Sequence, residues 1–203
     1  PLAAMVHPIS FNGWPQGPLM RRLGAIPSTY EAAQYAVTNG VSILVFPGGD
    51  YEATRPIWQA NQVQFAGRQG FLKIAQKFGL SIVPLGIRGS HYTAPVLWRS
   101  ERILPWLLVV PRMMGMKRYA LTLLGLLGVV TLIALSPYLG WWLTLLMSWV
   151  WLVAPIATLP WIPWSIRMEI GQPISASELF DGGSLESAGI RVEHAVQVLV
   201  RPL

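Results

Sequence analysis

The chain of 203 residues is long enough for one ordinary domain and short for two. With 53% apolar and only 12% charged residues it departs from soluble domains, where charged residues are about a quarter, so part of it is expected to meet lipid. A net charge of +6 without interleaved aromatic and basic residues favours anionic lipid or an anionic substrate over nucleic acid, and zero cysteines exclude disulfides, thiolate metal sites and cysteine nucleophiles.

The start, Pro-Leu-Ala-Ala, carries no Met and no signal-peptide pattern, and reads as part of a longer protein. Leu2 to Val6 reads as a short strand, followed by a loop rich in Gly, Pro and Asn from Ser10 to Pro18. Pro18 to Leu23 predicts one or two helical turns closed by Gly24. Ser28 or Thr29 can cap a helix whose apolar stripe is Ala32, Ala33, Ala36 and Val37, stopped at Asn39-Gly40. Val41 to Phe46 is an apolar run of buried-strand length that ends abruptly at Pro47-Gly48-Gly49. Asp50, Glu52 and Arg55 come next, which puts polar groups at the end of a buried strand, where open α/β sheets bind ligands. Phe71, Leu72, Ile74, Ala75 and Phe78 predict a helix ended by Gly79, and Ser81 to Ile87 predicts another buried strand. This alternation predicts an α/β fold with a mainly parallel sheet flanked by helices.

From Tyr119 to Ile166 there is no Asp, Glu, Lys, Arg or His. A crossing helix needs about 20 apolar residues. Two segments fit, Tyr119 to Leu135 and Leu139 to Leu159, split by Ser136-Pro137. Arg112, Lys117 and Arg118 precede the block and Arg167 closes it, so both ends are expected on the cytoplasmic side of a membrane hairpin or re-entrant pair. The first segment is short and holds Gly125 and Gly128, so shallow insertion stays open beside a full crossing. Ser165 to Ile170 then alternates as a returning strand, with Ile166, Met168 and Ile170 on one face, and Gly189 to Leu199 predicts a last amphipathic helix. Residues 1–118 are thus the first part of an α/β domain, 119–164 the membrane segment, and 165–203 its return strand and final helix.

The blocks RRLGAIPST (Arg21 to Thr29), VFPGGDYEATRP (Val45 to Pro56), AGRQGFLKIA (Ala66 to Ala75), IVPLGIRG (Ile82 to Gly89) and IRMEIGQPI (Ile166 to Ile174) together resemble the glycerolipid acyltransferase superfamily. The likeness is to the branch of monoacylglycerol and diacylglycerol acyltransferases, whose strand-end signature is Phe-Pro-Gly-Gly followed by a Glu. It implies a membrane-bound O-acyltransferase of glycerolipid biosynthesis, with an acyl-CoA or acyl-carrier-protein donor and a lipid hydroxyl acceptor, and no cofactor beyond the thioester. It also implies a catalytic His with an Asp four residues on. None of His7, His91 and His194 has an Asp at that spacing, so the pair is expected upstream of Pro1, and a catalytically inactive homologue acting as a lipid-binding membrane module is the alternative.

The substrate-binding candidates are Phe46, Pro47, Gly48, Gly49, Glu52, Arg55 and Arg68. Gly48 and Gly49 either present free N–H groups to an acyl oxyanion or glycerol oxygen, or simply make the turn. Glu52 and Arg55 either bind the acceptor headgroup or pair with each other three apart. Arg68 suits an anionic group such as phosphate, or a surface salt bridge. Pro84 is confined to a sheet edge or bulge, and His91 and His194 read as solvent-facing or structural. No carboxylate and His cluster has metal spacing, so no metal is expected, and the oligomeric state stays open.

Overall fold

The computed structural model describes residues 1–12, 15–113, 117–181 and 183–201. β1 (Leu2–Val6) leads through a 3-10 turn at Pro8–Phe11 to α1 (Gln16–Arg22) and β2 (Ala25–Pro27). The Thr29 hydroxyl accepts the Ala32 N–H at 3.3 Å and so starts α2 (Tyr30–Thr38) by satisfying one of its orphan donors. β3 (Ser42–Leu44), α3 (Gly49–Ala53) and α4 (Gly70–Phe78) come next, and Gly79 ends α4 in the left-handed region at φ 62°. The chain continues through β4 (Leu85–Arg88), α5 (Ser90–Thr93), β5 (Val96–Ser100), α6 (Ile103–Leu108), α7 (Val110–Met113) and β6 (Tyr119–Thr122). The uncharged stretch supplies α8 (Leu123–Ala134), α9 (Ser136–Leu139) and α10 (Trp141–Val153), before β7 (Arg167–Ile170), α11 (Ala176–Phe180) and α12 (Leu185–Val200).

These elements belong to two compact units, each assembled from separate stretches of chain. The first holds Pro1–Gly49, Gln64–Pro84 and Gly171–Val196. Its sheet is parallel with order β2-β1-β3, Ala4 pairing with Ala25 on one side and Leu44 on the other. The buried faces of its helices are the apolar stripes visible in sequence: Ala33 and Ala36 on α2, Leu72 and Ala75 on α4. Leu179 and Ala188, both fully buried, contribute from α11 and α12, and Gly189 leaves room for Leu72, whose Cδ1 lies 3.4 Å from where a Cβ would stand.

The second unit holds Asp50–Val63, Leu85–Ile170 and Gln197–Leu203. It contains two antiparallel pairs, β4 with β7 and β5 with β6. The protein is therefore α/β, and its parallel sheet is the small three-stranded one of the first unit. The strand expected over Ser81 to Ile87 is split: Ile82 makes only an isolated bridge to Ile174, and pairing resumes at Leu85 because Pro84 has no N–H to give a ladder. β7 does alternate, but it is exposed along its whole length, with Met168 and Ile170 at 62% and 76% and Ile166 just before it at 52%, so these apolar side chains bury no face.

The uncharged stretch departs furthest from expectation. Tyr119 to Thr122 is strand β6, paired with β5, and not the start of a membrane helix. α8 has 12 residues and α10 has 13, and no helix among the described residues is long and apolar enough to cross a membrane. The two pack antiparallel at close range. Gly125 and Gly128 of α8 face Leu152 and Trp151 of α10, and a Cβ at Gly128 would overlap the Trp151 indole. The indole N–H donates to the Gly125 carbonyl at 3.1 Å. Both helices nevertheless leave most of their apolar side chains in the open.

Leu72→Ala, which empties a fully buried position, is expected to cost about 2–5 kcal/mol, against less than about 0.5 kcal/mol for the exposed Lys73→Ala. Urea unfolding followed by circular dichroism measures both. Equal midpoints would show that α4 does not close the core of the first unit.

Candidate functional site

In the first unit, Val45 and Phe46 carry the chain from β3 into the Pro47-Gly48-Gly49 turn, with Phe46 52% exposed and Gly48 buried. Gly49 adopts φ 48°, and its N–H donates to the Phe46 carbonyl at 3.1 Å, so that donor is committed to the turn. The Arg68 guanidinium lies directly against Gly49, with Nη1 where it would overlap any Cβ at that position. Nη1 donates to the Gly48 carbonyl at 3.0 Å and approaches that of Pro47 at 3.4 Å. The sequence Ala66-Gly67, both at positive φ, makes the turn that delivers Arg68. Arg68 thus holds the strand-end turn in shape by its carbonyls, and glycine at position 49 is what lets it come so close.

In the second unit, α3 and the residues after it bring a dense set of charges together. Arg55 is 4% exposed, and its Nη2 donates to Glu52 Oε1 at 2.7 Å; of the two roles expected for this couple, mutual pairing is the geometry observed. Arg118 donates from Nη1 to Asp50 Oδ2 at 3.0 Å and from Nε to Glu101 Oε1 at 3.1 Å. Burial opposes its charge, and the two carboxylates more than offset that, so Arg118 is held firmly cationic. The Tyr51 ring has the Arg99 guanidinium at 4.0 Å from its centre and that of Arg118 at 5.0 Å, and Arg99 Nη1 also donates to the Tyr51 carbonyl at 3.2 Å. Arg55 is thus paired with Glu52 and Arg118 with Asp50 and Glu101, while Arg99 Nε stands 4.0 Å from the same Glu101 Oε1, and together these side chains frame α3.

One imidazole faces this frame. The turn at Gly89, φ 88°, carries the chain from β4 to His91, whose Nε2 stands 3.1 Å from the Glu52 carbonyl oxygen. A carbonyl only accepts, so Nε2 carries the proton, and in the neutral ring Nδ1 keeps a lone pair that makes no hydrogen bond among the described residues. Burial lowers the His91 pKa and the Arg55 charge lowers it further, against the opposing pull of the Glu52 carbonyl and carboxylate. At neutral pH the ring is uncharged, fixed in tautomer and able to accept a proton.

The other histidines differ. His7 is exposed and its Nδ1 accepts the Ile9 N–H at 3.3 Å, capping the 3-10 turn at Pro8–Phe11, while His194 lies on the exposed side of α12. His91 is half-buried and hydrogen-bonded, which the sequence could not distinguish from a solvent-facing position. Its only local signal is the Gly89 turn after an apolar strand. Tyr51, Arg99 and Glu101 carry no signal in the sequence, and Arg118 reads there only as a base flanking the uncharged stretch, since Tyr51 meets Arg99 and Arg118 only through the fold. A shallow depression on α2, lined by Glu31, Gln34, Tyr35 and Thr38, includes none of the candidate residues. Among the described residues no three His, Cys, Asp or Glu side chains are grouped as metal ligands. No family model, curated protein or solved structure matches the chain.

Glu52→Ala strands the buried Arg55 cation and is expected to lower stability by about 3 kcal/mol, read as a fall in urea midpoint; an unchanged midpoint would mean that Arg55 finds another anion. His91→Gln keeps a neutral donor near the Nε2 position and removes the titration. Because the folded pKa lies below the ordinary 6.5, the neutral ring contributes stability that is present above that value and lost as pH falls through the lowered one. The wild-type midpoint should therefore drop more than the variant's between about pH 7.5 and about pH 5, and parallel profiles would remove His91 from the frame.

Proposed function

We propose that this chain is part of a membrane-surface O-acyltransferase, moving a fatty acyl group from acyl-CoA or acyl-carrier protein to the hydroxyl of a glycerolipid or lysophospholipid. The observation that carries this reading is the direct junction, inside the second unit, between a charged frame and a pair of short, uncharged helices with most of their apolar side chains exposed. Arg118 binds Asp50 and Glu101, and the next residue, Tyr119, donates its hydroxyl to the Leu152 carbonyl of α10. Such a junction keeps polar groups at the level where a lipid hydroxyl and a thioester both arrive, so neither substrate has to leave the interface. The five ordered blocks resembling glycerolipid acyltransferases supply the reaction class.

The chemistry asks for a base near the acceptor hydroxyl, whose oxygen attacks the thioester carbonyl; the carbon–sulfur bond breaks and the thiolate leaves with the proton. The resemblance assigns that base to a His with an Asp four residues on, a spacing that none of His7, His91 and His194 has. Arg68 then serves by shaping the turn of Phe46, Pro47, Gly48 and Gly49 in the first unit, and Arg55, in the second, by pairing with Glu52. The active face is cytoplasmic on this reading, because bases flank the uncharged stretch at both ends. A second reading, a lipid-binding module without catalysis, is favoured by one observation: none of the chain's three histidines has an Asp four residues on.

Incubating the protein in lipid vesicles with labelled acyl-CoA and a panel of lysophospholipids, monoacylglycerols and diacylglycerols separates the two. Label in a newly esterified lipid is the expected result. Vesicle binding with no ester from any acceptor supports the binding module.

A further inference from the structure

We propose that α8, α9 and α10 form a re-entrant wedge that enters one leaflet of an anionic bilayer and stops near its midplane. The inference rests on the membrane-surface reading above and specifies how that surface is held. Length is the first argument. Helices of 12 and 13 residues rise about 18 and 20 Å at 1.5 Å per residue, against a hydrocarbon core about 30 Å thick. Such a pair reaches past the headgroups to about the middle of the bilayer and no further.

The second argument is the distribution of exposure. Along α10 Trp141, Trp142, Leu143, Leu146, Met147 and Val150 are all exposed, and at about 100° per residue these positions cover about two-thirds of the helix circumference. An apolar surface that wide suits a surrounding solvent of acyl chains, whereas a protein partner covers one narrower face. Polar groups inside the pair are satisfied internally: Thr131 donates to the Leu127 carbonyl at 2.9 Å, Thr144 to that of Gly140 at 3.0 Å, and Trp151 to that of Gly125. The close seating of Gly128 under Trp151 makes the two helices enter as one body.

The third argument is polarity along the axis of the pair. At the α9 end Tyr138 is 87% exposed, and Trp141 and Trp142 stack at 3.9 Å. The chain leads into the other end of the pair from exposed Arg112 and Lys117 and runs out of it toward exposed Arg167. α6, which touches α10, presents Trp106, with the Arg112 guanidinium 3.5 Å above its ring. A cation seated on an indole is the arrangement of the interfacial region, where aromatic rings sit at headgroup level and bases meet anionic phosphates.

The chain has no cysteine, so single cysteines report depth without interference. Tyr138→Cys and Lys117→Cys variants, bound to preformed vesicles of phosphatidylglycerol and phosphatidylcholine, are treated with a membrane-impermeant maleimide. Lys117→Cys should label at once, and Tyr138→Cys only after detergent; vesicles of phosphatidylcholine alone should bind about tenfold more weakly or less. Labelling of Tyr138→Cys as fast as Lys117→Cys places the pair on the surface and overturns the proposal. Labelling only by reagent trapped in the lumen means a crossing and overturns it too, as does a vesicle-free dimer in which Tyr138→Cys is already protected. None of these readouts uses acyl transfer, so a protected Tyr138→Cys in a protein that makes no ester would end the enzyme reading and leave the wedge standing.

Discussion

The hydroxyl of Tyr119 donates to the backbone carbonyl of Leu152, and that bond marks where the charged part of the second unit stops and its uncharged part begins. Burial raises the Tyr119 pKa to about 12, so the phenol remains a donor at every physiological pH. Thr122, at the other end of the same strand, donates to the Ala157 carbonyl and accepts the Gly125 N–H at 3.0 Å. β6 is thus tied to the start of α8 and to the end of α10, the same end of the antiparallel pair, by side chains that satisfy backbone groups otherwise left bare. Arg118, one residue earlier, is tied to two carboxylates. A change that loosened β6 would disturb the charged frame and the helices together.

The frame itself is costly to assemble. A guanidinium as buried as Arg55 is tolerated because a carboxylate meets it at 2.7 Å, and the same short helix offers its carbonyl to His91. With the charges matched, the frame leaves His91 as its neutral, proton-accepting member. In the first unit the logic is similar on a smaller scale, with Arg68 covering the carbonyls of a turn whose glycine makes room for it.

Local chemistry was legible in the sequence wherever one short stretch decided the outcome. Thr29 as a cap, the alanine stripe of α2, the apolar face of α4 and its Gly79 stop all come from spacing. Leu2 to Val6 was legible as a strand but not as the centre of the sheet, because strand order is set by crossovers and leaves no mark on the strand itself. Pro84 announced an interruption whose consequence, the hand-over to an antiparallel partner, depends on a segment far along the chain. Hydropathy identified the uncharged stretch but overestimated its helices: Tyr119 to Thr122 carry no more charge than α8 does, and pairing with β5 claims them for a strand. The frame around α3 was the least legible, since it joins side chains from α3, β5 and the start of β6.

The near-equal lengths of α8 and α10 bear on what such an element senses. A helix that spans a bilayer answers to its thickness, tilting or stretching when the two do not match. A pair that ends near the middle has no second interface to satisfy, so thickness exerts little pull on it. Entering one leaflet as proposed, the pair would register the lateral packing and charge of that single monolayer, and a protein held this way would respond to curvature and to lipid asymmetry between the two sides.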